Sequence, residues 1–184
     1  MNTTAEKIKA EDKLVVAFEK QRAQLSGNAT LQTIRQKAIT AFLDKGIPTR
    51  KNEEYKYSSP EKLFKADYSI LTAALNTPLK PDSIKQFEIA GISENRIVLL
   101  NGFYSKQLSS VEKLPKGVIV TDLANAFQNH TDIIEKHFAK YADVNADPFI
   151  ALNTSFVTDG LFIHVPDKVV VEQPLHIINI ISVN

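Results

Sequence analysis

The C-terminal part of the chain constrains the fold most strongly, because its apolar residues follow the pattern of successive β-strands. Residues 161–183, LFIHVPDKVVVEQPLHIINIISV, are dominated by Val, Ile and Leu and are interrupted by Pro166 and Pro174. Such runs suit strands that are covered on one or both faces. The links PDK and EQP are too short for a helical crossover and lack Gly for a tight hairpin. This pattern predicts the stacked coils of a parallel β-helix.

A coil that ends at Asn184 would leave an apolar strand edge unpaired, which favours aggregation. We therefore expect the natural protein to continue beyond this residue, or a partner chain to cover the edge, including by self-association. The predicted domains are a mainly helical region at 1–158 and the start of the β-helix core at 159–184. We expect the helical region to cap the β-helix and to shield its first coil.

Two amphipathic helices are predicted in the first fifty residues. In residues 5–25 one side carries Leu14, Val15, Phe18 and Leu25. The second helix carries one apolar stripe, formed by Leu31, Ile34, Ala38 and Phe42. Asn28 is expected to cap the second helix, and Gly46 followed by Pro48 to end it. The short link between the helices predicts an antiparallel hairpin.

The middle of the chain predicts a small mixed α/β region, which makes the fold class α+β. Residues 68–91 indicate a loop with short pieces of helix or strand, because Pro78 and Pro81 forbid a long element. The run Ile97–Leu100 followed by Asn101-Gly102 predicts a β-hairpin, since both turn residues need positive φ.

Further elements follow this hairpin. A short strand is predicted at Val118–Val120, and Thr121 or Asp122 is expected to cap a helix that ends near Gln128. Another helix is predicted from Thr131 to Tyr141. Its inward residues are expected to be Ile133, Ile134, His137 and Phe138. Asp147-Pro148 has the form of an N-cap with proline at the first helical position, which predicts a helix over 148–157.

Composition excludes several classes of function. A net charge of +1 gives no bulk field for nucleic acid or an anionic membrane. The absence of cysteine excludes disulfides, thiolate ligands and cysteine nucleophiles within these residues. The N-terminus lacks the apolar segment of a signal peptide, and no run is long enough for a membrane helix, so we expect a cytoplasmic protein.

No catalytic, cofactor-binding or metal-binding residue is predicted. The chain has no G-x-x-x-x-G-K, G-x-G-x-x-G or G-x-S-x-G motif, and the acidic pairs Glu11-Asp12 and Glu53-Glu54 diverge on a helix. His130 and His137 lack a third ligand at a suitable spacing, which favours structural histidines. His164 and His176 alternate within strands and would act as ligands only with residues from further coils.

The segment at residues 48–64, PTRKNEEYKYSSPEKLF, is the most polar stretch of the first half. Six Lys or Arg against four Asp or Glu in residues 44–65 is too balanced for a phosphate-binding surface. We expect Tyr55 and Tyr57 to pack the segment against the helical hairpin rather than to stack on bases. Arg50 and Glu53 are expected to pair locally.

The same segment resembles the P-T-R-x-x-E-x-W-[KR]-Y-[ST] stretch of the SufB/SufD family of iron–sulfur cluster assembly proteins. The matching residues are Pro48, Thr49, Arg50, Glu53, Lys56, Tyr57 and Ser58. Tyr55 stands where the family commonly has Trp. Residues 98–109 and 149–180 are similar to SufD-type members in particular, and the latter segment is the more specific.

The resemblance implies a non-catalytic scaffold subunit of the SufB–SufC–SufD assembly, with a right-handed parallel β-helix that pairs with SufB and a C-terminal region that docks the ATPase SufC. The family's docking segment and its iron- or cluster-related residues are expected beyond Asn184, so no functional residue is carried over and no cofactor is expected in this stretch. A SufB-like cluster scaffold is the alternative, and a β-helix enzyme acting on carbohydrate is a more distant one.

Overall fold

The computed structural model describes residues 9–25, 27–65, 79–92 and 94–182. Two compact units divide the chain: Met1–Thr72 with Glu135–Val157, and Ala73–Ile134 with Thr158–Asn184. The start of the first predicted helix and residues 68–78 of the predicted loop lie outside the described residues. The domain boundary predicted between residues 158 and 159 stays a prediction.

Two helices, α1 (Ala10–Gln21) and α2 (Ala29–Lys45), open the first unit. The Asn28 side chain accepts a hydrogen bond from the Leu31 N–H at 3.0 Å, so the predicted N-cap of α2 is confirmed. Gly46 ends α2 as predicted and has a φ of 67°, a left-handed conformation that glycine adopts without steric cost.

The two helices lie antiparallel, as the short link between them predicts. The Glu11 carboxylate, near the start of α1, accepts a hydrogen bond from the Ile47 N–H just after α2, at 3.2 Å. Arg22, which follows α1, donates to the Gln36 side chain in the middle of α2 at 3.2 Å. The start of α1 therefore lies beside the end of α2.

A third helix of this unit, α5 (Pro148–Ser155), packs on α2. The Asp147 side chain accepts hydrogen bonds from two backbone N–H groups at the start of α5, and proline occupies the first turn, which confirms the predicted helix start. The Phe18 and Phe156 rings meet edge to face at 5.8 Å. One buried cluster of the unit consists of Phe18, Leu25, Ile39, Ala41, Phe42 and Ala151.

The second unit contains the predicted hairpin. Strand β1 (Asn95–Leu100) pairs antiparallel with the short strand β2 (Phe103–Tyr104). Asn101 and Gly102 connect them with φ values of 51° and 87°. The Asn-Gly dipeptide therefore forms the tight turn that its conformational preference predicts.

Strand β5 (Leu175–Ile180) completes this sheet on the other side of β1. The two strands are parallel, with Asn95 opposite Leu175 and Leu100 opposite Ile180. A 3₁₀ helix at Pro81–Phe87 supplies Ile84 to the core beneath the sheet. The buried residues of this core are Ile84, Val98, Leu108 and Ile178.

A second sheet of the unit pairs β3 (Ile119–Asp122) antiparallel with β4 (Leu161–His164). The strand predicted at Val118–Val120 thus begins one residue later and extends two residues further. The Asp122 side chain accepts a hydrogen bond from a backbone N–H of the following helix, α3 (Leu123–Asn129), and is its N-cap. Of the two predicted caps, Asp122 is the observed one.

Helix α4 spans Thr131–His137 and is shorter than predicted. Ala139, with a φ of 55°, lies in the left-handed region and helical backbone cannot continue through it to Tyr141. Ile134 is buried as expected, but His137 is exposed, so the prediction that it points inward is wrong.

The prediction of a right-handed parallel β-helix is wrong. The strands β4 and β5 belong to different sheets and have different partners, β3 and β1. Residues 165–174 between them contain no strand, Lys168 has a φ of 66°, and Val170 is exposed. The apolar runs do form strands, but their partners lie far back in the sequence rather than in the next run. The capping role and the β-helix edge inferred for self-association therefore lose their basis.

Among the described residues, no helix combines the length and apolar character that a bilayer span requires.

Candidate functional site

The polar segment at residues 48–65, named the connector below, forms a series of tight turns. The Asn52 side chain accepts a hydrogen bond from the Thr49 N–H at 2.9 Å, and the Asn52 N–H donates back to the Thr49 carbonyl at 3.0 Å. Short 3₁₀ helices follow at Glu53–Tyr55 and Pro60–Lys65. These local bonds make the connector compact, as turn-forming Asn, Ser and Pro residues favour.

Tyr55 anchors the connector to α5. Its hydroxyl donates a hydrogen bond to the Asp147 carboxylate, and its ring meets the Phe149 ring edge to face at 5.7 Å. The other Asp147 oxygen accepts from the N–H groups of Phe149 and Ile150, at 2.7 and 3.2 Å. One carboxylate therefore caps α5 and holds Tyr55, which confirms the packing role predicted for this tyrosine, although its partner is α5 rather than the helical hairpin.

The electrostatics of this pair follow from the shared hydrogen bond. Burial raises the pKa of Tyr55 to about 12, with a further contribution from Asp147. Burial also opposes ionisation of Asp147, but hydrogen bonds from Tyr55 and from backbone N–H groups outweigh it, so the pKa of Asp147 lies below its usual value. The pair therefore consists of a neutral tyrosine and a charged carboxylate over the ordinary pH range.

A second anchor lies at the other end of the connector. The Phe64 ring stacks on the Phe149 ring, which also contacts Tyr55. The centroids of the Phe64 and Phe149 rings are 6.1 Å apart, and the angle between the ring planes is 11°. Pro60 is buried between the two anchors. The connector is thus attached to α5 both before and after its central residues.

Tyr57 lies between these anchors and is 91% exposed, so the prediction that it packs against the hairpin is wrong. The Lys56 ammonium lies 5.2 Å from the centroid of its ring. The predicted pairing of Arg50 with Glu53 is also wrong, because Arg50 donates to the Ser59 hydroxyl at 2.7 Å and Glu53 pairs with Lys56.

The four histidines do not converge on a site. His130 stacks on the Phe162 ring at 6.0 Å, and exposed His137 shares a hydrogen bond with the Tyr141 hydroxyl. His164 and His176 lie on β4 and β5, in different sheets, so the stacking expected from successive coils does not occur. The part of the chain that the structure describes holds no group of three or more His, Asp or Glu residues suited to a metal ion.

Arg35 is a buried residue that the sequence analysis missed. It lies on α2 with no exposed surface, four residues after Leu31 and three before Ala38, and therefore on the apolar stripe. Its Nε and Nη2 donate to the Val157 carbonyl, the former at 2.9 Å, whereas Nη1 has no hydrogen-bond partner among the described residues. Burial lowers the pKa of Arg35 to about 10, so the guanidinium stays charged at neutral pH while it binds the Val157 carbonyl, two residues after the end of α5.

Two of the open depressions on the described surface are lined by mixed charged, polar and apolar side chains. The larger, about 510 Å³, lies between Lys85 and Glu94 in the second unit, and the other, about 380 Å³, lies between α2 and the loop before α5. None of the described residues that line these two depressions is a histidine. The contacts of the connector and of Arg35 attach both to α5 and to the residues that flank this helix.

Comparisons with known proteins point to one family. The family model described as "SufBD protein N-terminal region" matches residues 8–177. A protein of Synechocystis named iron–sulfur cluster assembly SufBD family protein is 24% identical over 161 residues, which cover 86% of this chain and 35% of that protein.

Two proteins of Bacillus subtilis also match. The iron–sulfur cluster assembly protein SufD is 40% identical over 67 residues, covering 36% of this chain and 15% of SufD. The iron–sulfur cluster assembly protein SufB is 35% identical over 103 residues, covering 52% of this chain and 22% of SufB. The alignments thus span between 15% and 35% of the length of these relatives. Because the family model matches nearly all of the chain, the chain belongs to the SufB/SufD family of iron–sulfur cluster assembly proteins, in the region that the model describes as N-terminal.

Proposed function

We propose that this chain is part of a non-catalytic, SufD-like scaffold subunit for iron–sulfur cluster assembly. The family match over residues 8–177 is the observation that carries the proposal. The described residues add support through the anchors that hold the connector and through its exposed side chains. The proposal assigns no cofactor to these residues.

The proposed partners are a SufB-like subunit and a SufC-like ATPase, and the proposed location is the cytoplasm. In this proposal the complete natural protein provides surfaces on which the partners assemble, and the chemistry takes place on other subunits. The near-neutral net charge of +1 is consistent with protein partners rather than nucleic acid.

A SufB-like role is the second candidate, because the alignment with a SufB protein covers more of this chain than the alignment with a SufD protein does. The alignment with Bacillus subtilis SufB covers 52% of this chain, whereas the alignment with SufD covers 36% at a higher identity. Similarity in this region therefore does not separate the two roles. The property that separates them is whether the complete protein binds a cluster by itself.

The first experiment tests the scaffold role. The complete natural protein is co-expressed with the SufB-like and SufC-like subunits of the same organism, and the purified material is analysed by size-exclusion chromatography with light scattering. We expect one complex that contains all three chains. Elution of the complete protein alone, at a mass that excludes both partners, would refute the proposed role.

The second experiment separates the SufD-like from the SufB-like role and from an enzyme. The complete protein is incubated anaerobically with iron and sulfide, and cluster binding is followed by visible absorbance and iron analysis. The SufD-like role predicts no bound cluster and no ATP hydrolysis by the protein alone. Stoichiometric cluster binding would favour the SufB-like role, and ATP hydrolysis without the SufC-like subunit would contradict a non-catalytic scaffold.

A further inference from the structure

The connector presents two large apolar side chains to solvent. Tyr57 is 91% exposed and Leu63 is 62% exposed. Each nevertheless lies within two residues of an anchor to α5: Tyr57 is near Tyr55, and Leu63 is next to Phe64. A single exposed apolar side chain is ordinary on a protein surface. In the connector, both exposed side chains lie next to anchored residues of one short segment.

The anchors restrict the backbone that carries Tyr57. On one side Tyr55 bonds to the Asp147 carboxylate, and on the other the Ser58 N–H donates to the Tyr55 carbonyl at 2.9 Å. Arg50 reaches across the turn to the Ser59 hydroxyl. A side chain held on an ordered backbone loses less conformational entropy on binding, so this arrangement lowers the cost of association.

Charge indicates which kind of partner fits. Residues 50–65 contain five Lys or Arg against three Glu, an excess of two positive charges. The basic side chains are all exposed, and they are Arg50, Lys51, Lys56, Lys62 and Lys65. One glutamate, Glu53, is already paired with Lys56, whose ammonium lies over the Tyr57 ring. The excess is small for a nucleic acid, which binds through a one-sided basic surface, but suits an acidic protein surface.

We propose that the connector is a protein-binding surface, on which Tyr57 enters an apolar pocket of a partner whose rim is acidic. This inference rests on the proposed function, because the partner is one of the subunits of the same assembly. Tyrosine is enriched among the residues that contribute most to binding, and basic side chains around it act mainly on association rate and salt dependence. Leu63 is the other exposed apolar side chain of the connector.

The test compares two tyrosines of the first unit. Tyr57→Ala removes the proposed contact, and Tyr141→Ala is the matched control, because Tyr141 is 79% exposed and lies outside the connector. A double charge reversal, Lys51→Glu with Lys62→Glu, tests the basic rim separately. All variants are made in the complete natural protein, and thermal unfolding followed by circular dichroism verifies that each one folds.

Affinity for the purified SufB-like and SufC-like subunits is then measured by biolayer interferometry at low and high salt. We expect Tyr57→Ala to raise the Kd for one subunit about 10-fold or more. Tyr141→Ala should leave that Kd within about 2-fold, since exposed residues outside an interface contribute little. The charge reversal turns the excess of two positive charges in residues 50–65 into an excess of two negative charges. It should therefore lower the association rate at low salt, and added salt should then raise that rate instead of lowering it.

The outcomes separate this inference from the proposed function. If the unaltered protein binds a subunit and Tyr57→Ala binds it equally well, the surface is refuted and the scaffold role stands. The same conclusion follows if Tyr141→Ala weakens binding as much as Tyr57→Ala does. If the unaltered protein binds neither subunit, both the scaffold role and the surface are refuted.

Discussion

The bond between Tyr55 and Asp147 allows a double-mutant cycle whose result follows from the geometry. Tyr55→Phe removes only the hydroxyl that donates to the carboxylate. A hydrogen bond to a charged group contributes ~1.5–3 kcal/mol, and we expect a cost of about 1 kcal/mol because the Tyr55 side chain is only half-buried. Asp147→Ala removes this bond and also the cap of α5, which adds about 1 kcal/mol, so its cost should be about 2 kcal/mol.

The double variant should be no less stable than Asp147→Ala alone, because the hydroxyl has no acceptor left to lose. The coupling energy should therefore be about 1 kcal/mol. The assay is urea denaturation at neutral pH, followed by far-ultraviolet circular dichroism. The matched control is Tyr57→Phe, which removes the same hydroxyl from an exposed ring and should change the free energy of unfolding by less than about 0.5 kcal/mol.

The pKa of Asp147 gives this cycle a pH dependence of known sign. The folded pKa is lowered, so the stabilisation is present above the unfolded pKa and is lost as the pH falls through the folded pKa. The coupling energy should consequently decrease in acid. Additive costs at neutral pH, with a coupling energy within about 0.3 kcal/mol of zero, would show that Tyr55 and Asp147 act independently and would refute the reasoning.

Three further predictions concern stability. Burial and the Asp147 carboxylate raise the pKa of Tyr55 to about 12, above its value in the unfolded chain. The contribution of Tyr55 to the free energy of unfolding is therefore lost as the pH rises from about 10 to 12. Thermal unfolding should show a larger loss of stability over this pH range for the unaltered chain than for Tyr55→Phe. Arg35→Ala leaves a cavity and an unbonded carbonyl and should cost about 2–4 kcal/mol in urea denaturation, whereas Arg35→Met fills most of the volume and should cost less than half as much; equal costs would contradict this account. Gly102→Ala places a side chain at a φ of 87° and should cost ~1 kcal/mol, while Gly160→Ala, where no positive φ applies and space is open, should be nearly neutral in the same measurement.

Signals that act over a few residues were predictable from the sequence. Asn28 and Asp147 cap helices as expected, because a capping side chain bonds to backbone groups two or three positions away. Asn101-Gly102 forms its turn for the same reason, since the requirement for positive φ concerns those two residues alone. Each of these features depends only on residues that are within about three positions of one another in the sequence.

Features that depend on distant partners were not predictable in the same way. The strand character of residues 161–164 and 175–180 was evident, but β-propensity does not identify the strand that pairs with them. Tyr55 and Tyr57 are two residues apart and chemically alike, yet the former has Asp147 as a partner from 92 positions away and the latter remains in solvent. Arg35 fitted the apolar spacing, but its acceptor at Val157 lies 122 positions away.

The parallel pairing of β1 with β5 also has a consequence for synthesis of the chain on the ribosome. Each residue of β1 faces the one eighty positions later, as Asn95 faces Leu175 and Leu100 faces Ile180. At roughly 5–20 residues per second, translation needs about 4–16 s to reach the partner strand after β1 is made. During that interval one side of β1 has only nascent chain and solvent as neighbours. Pausing translation between these strands should therefore lengthen the exposure of Val98, which is fully buried in the folded chain in a cluster with Ile178 of β5.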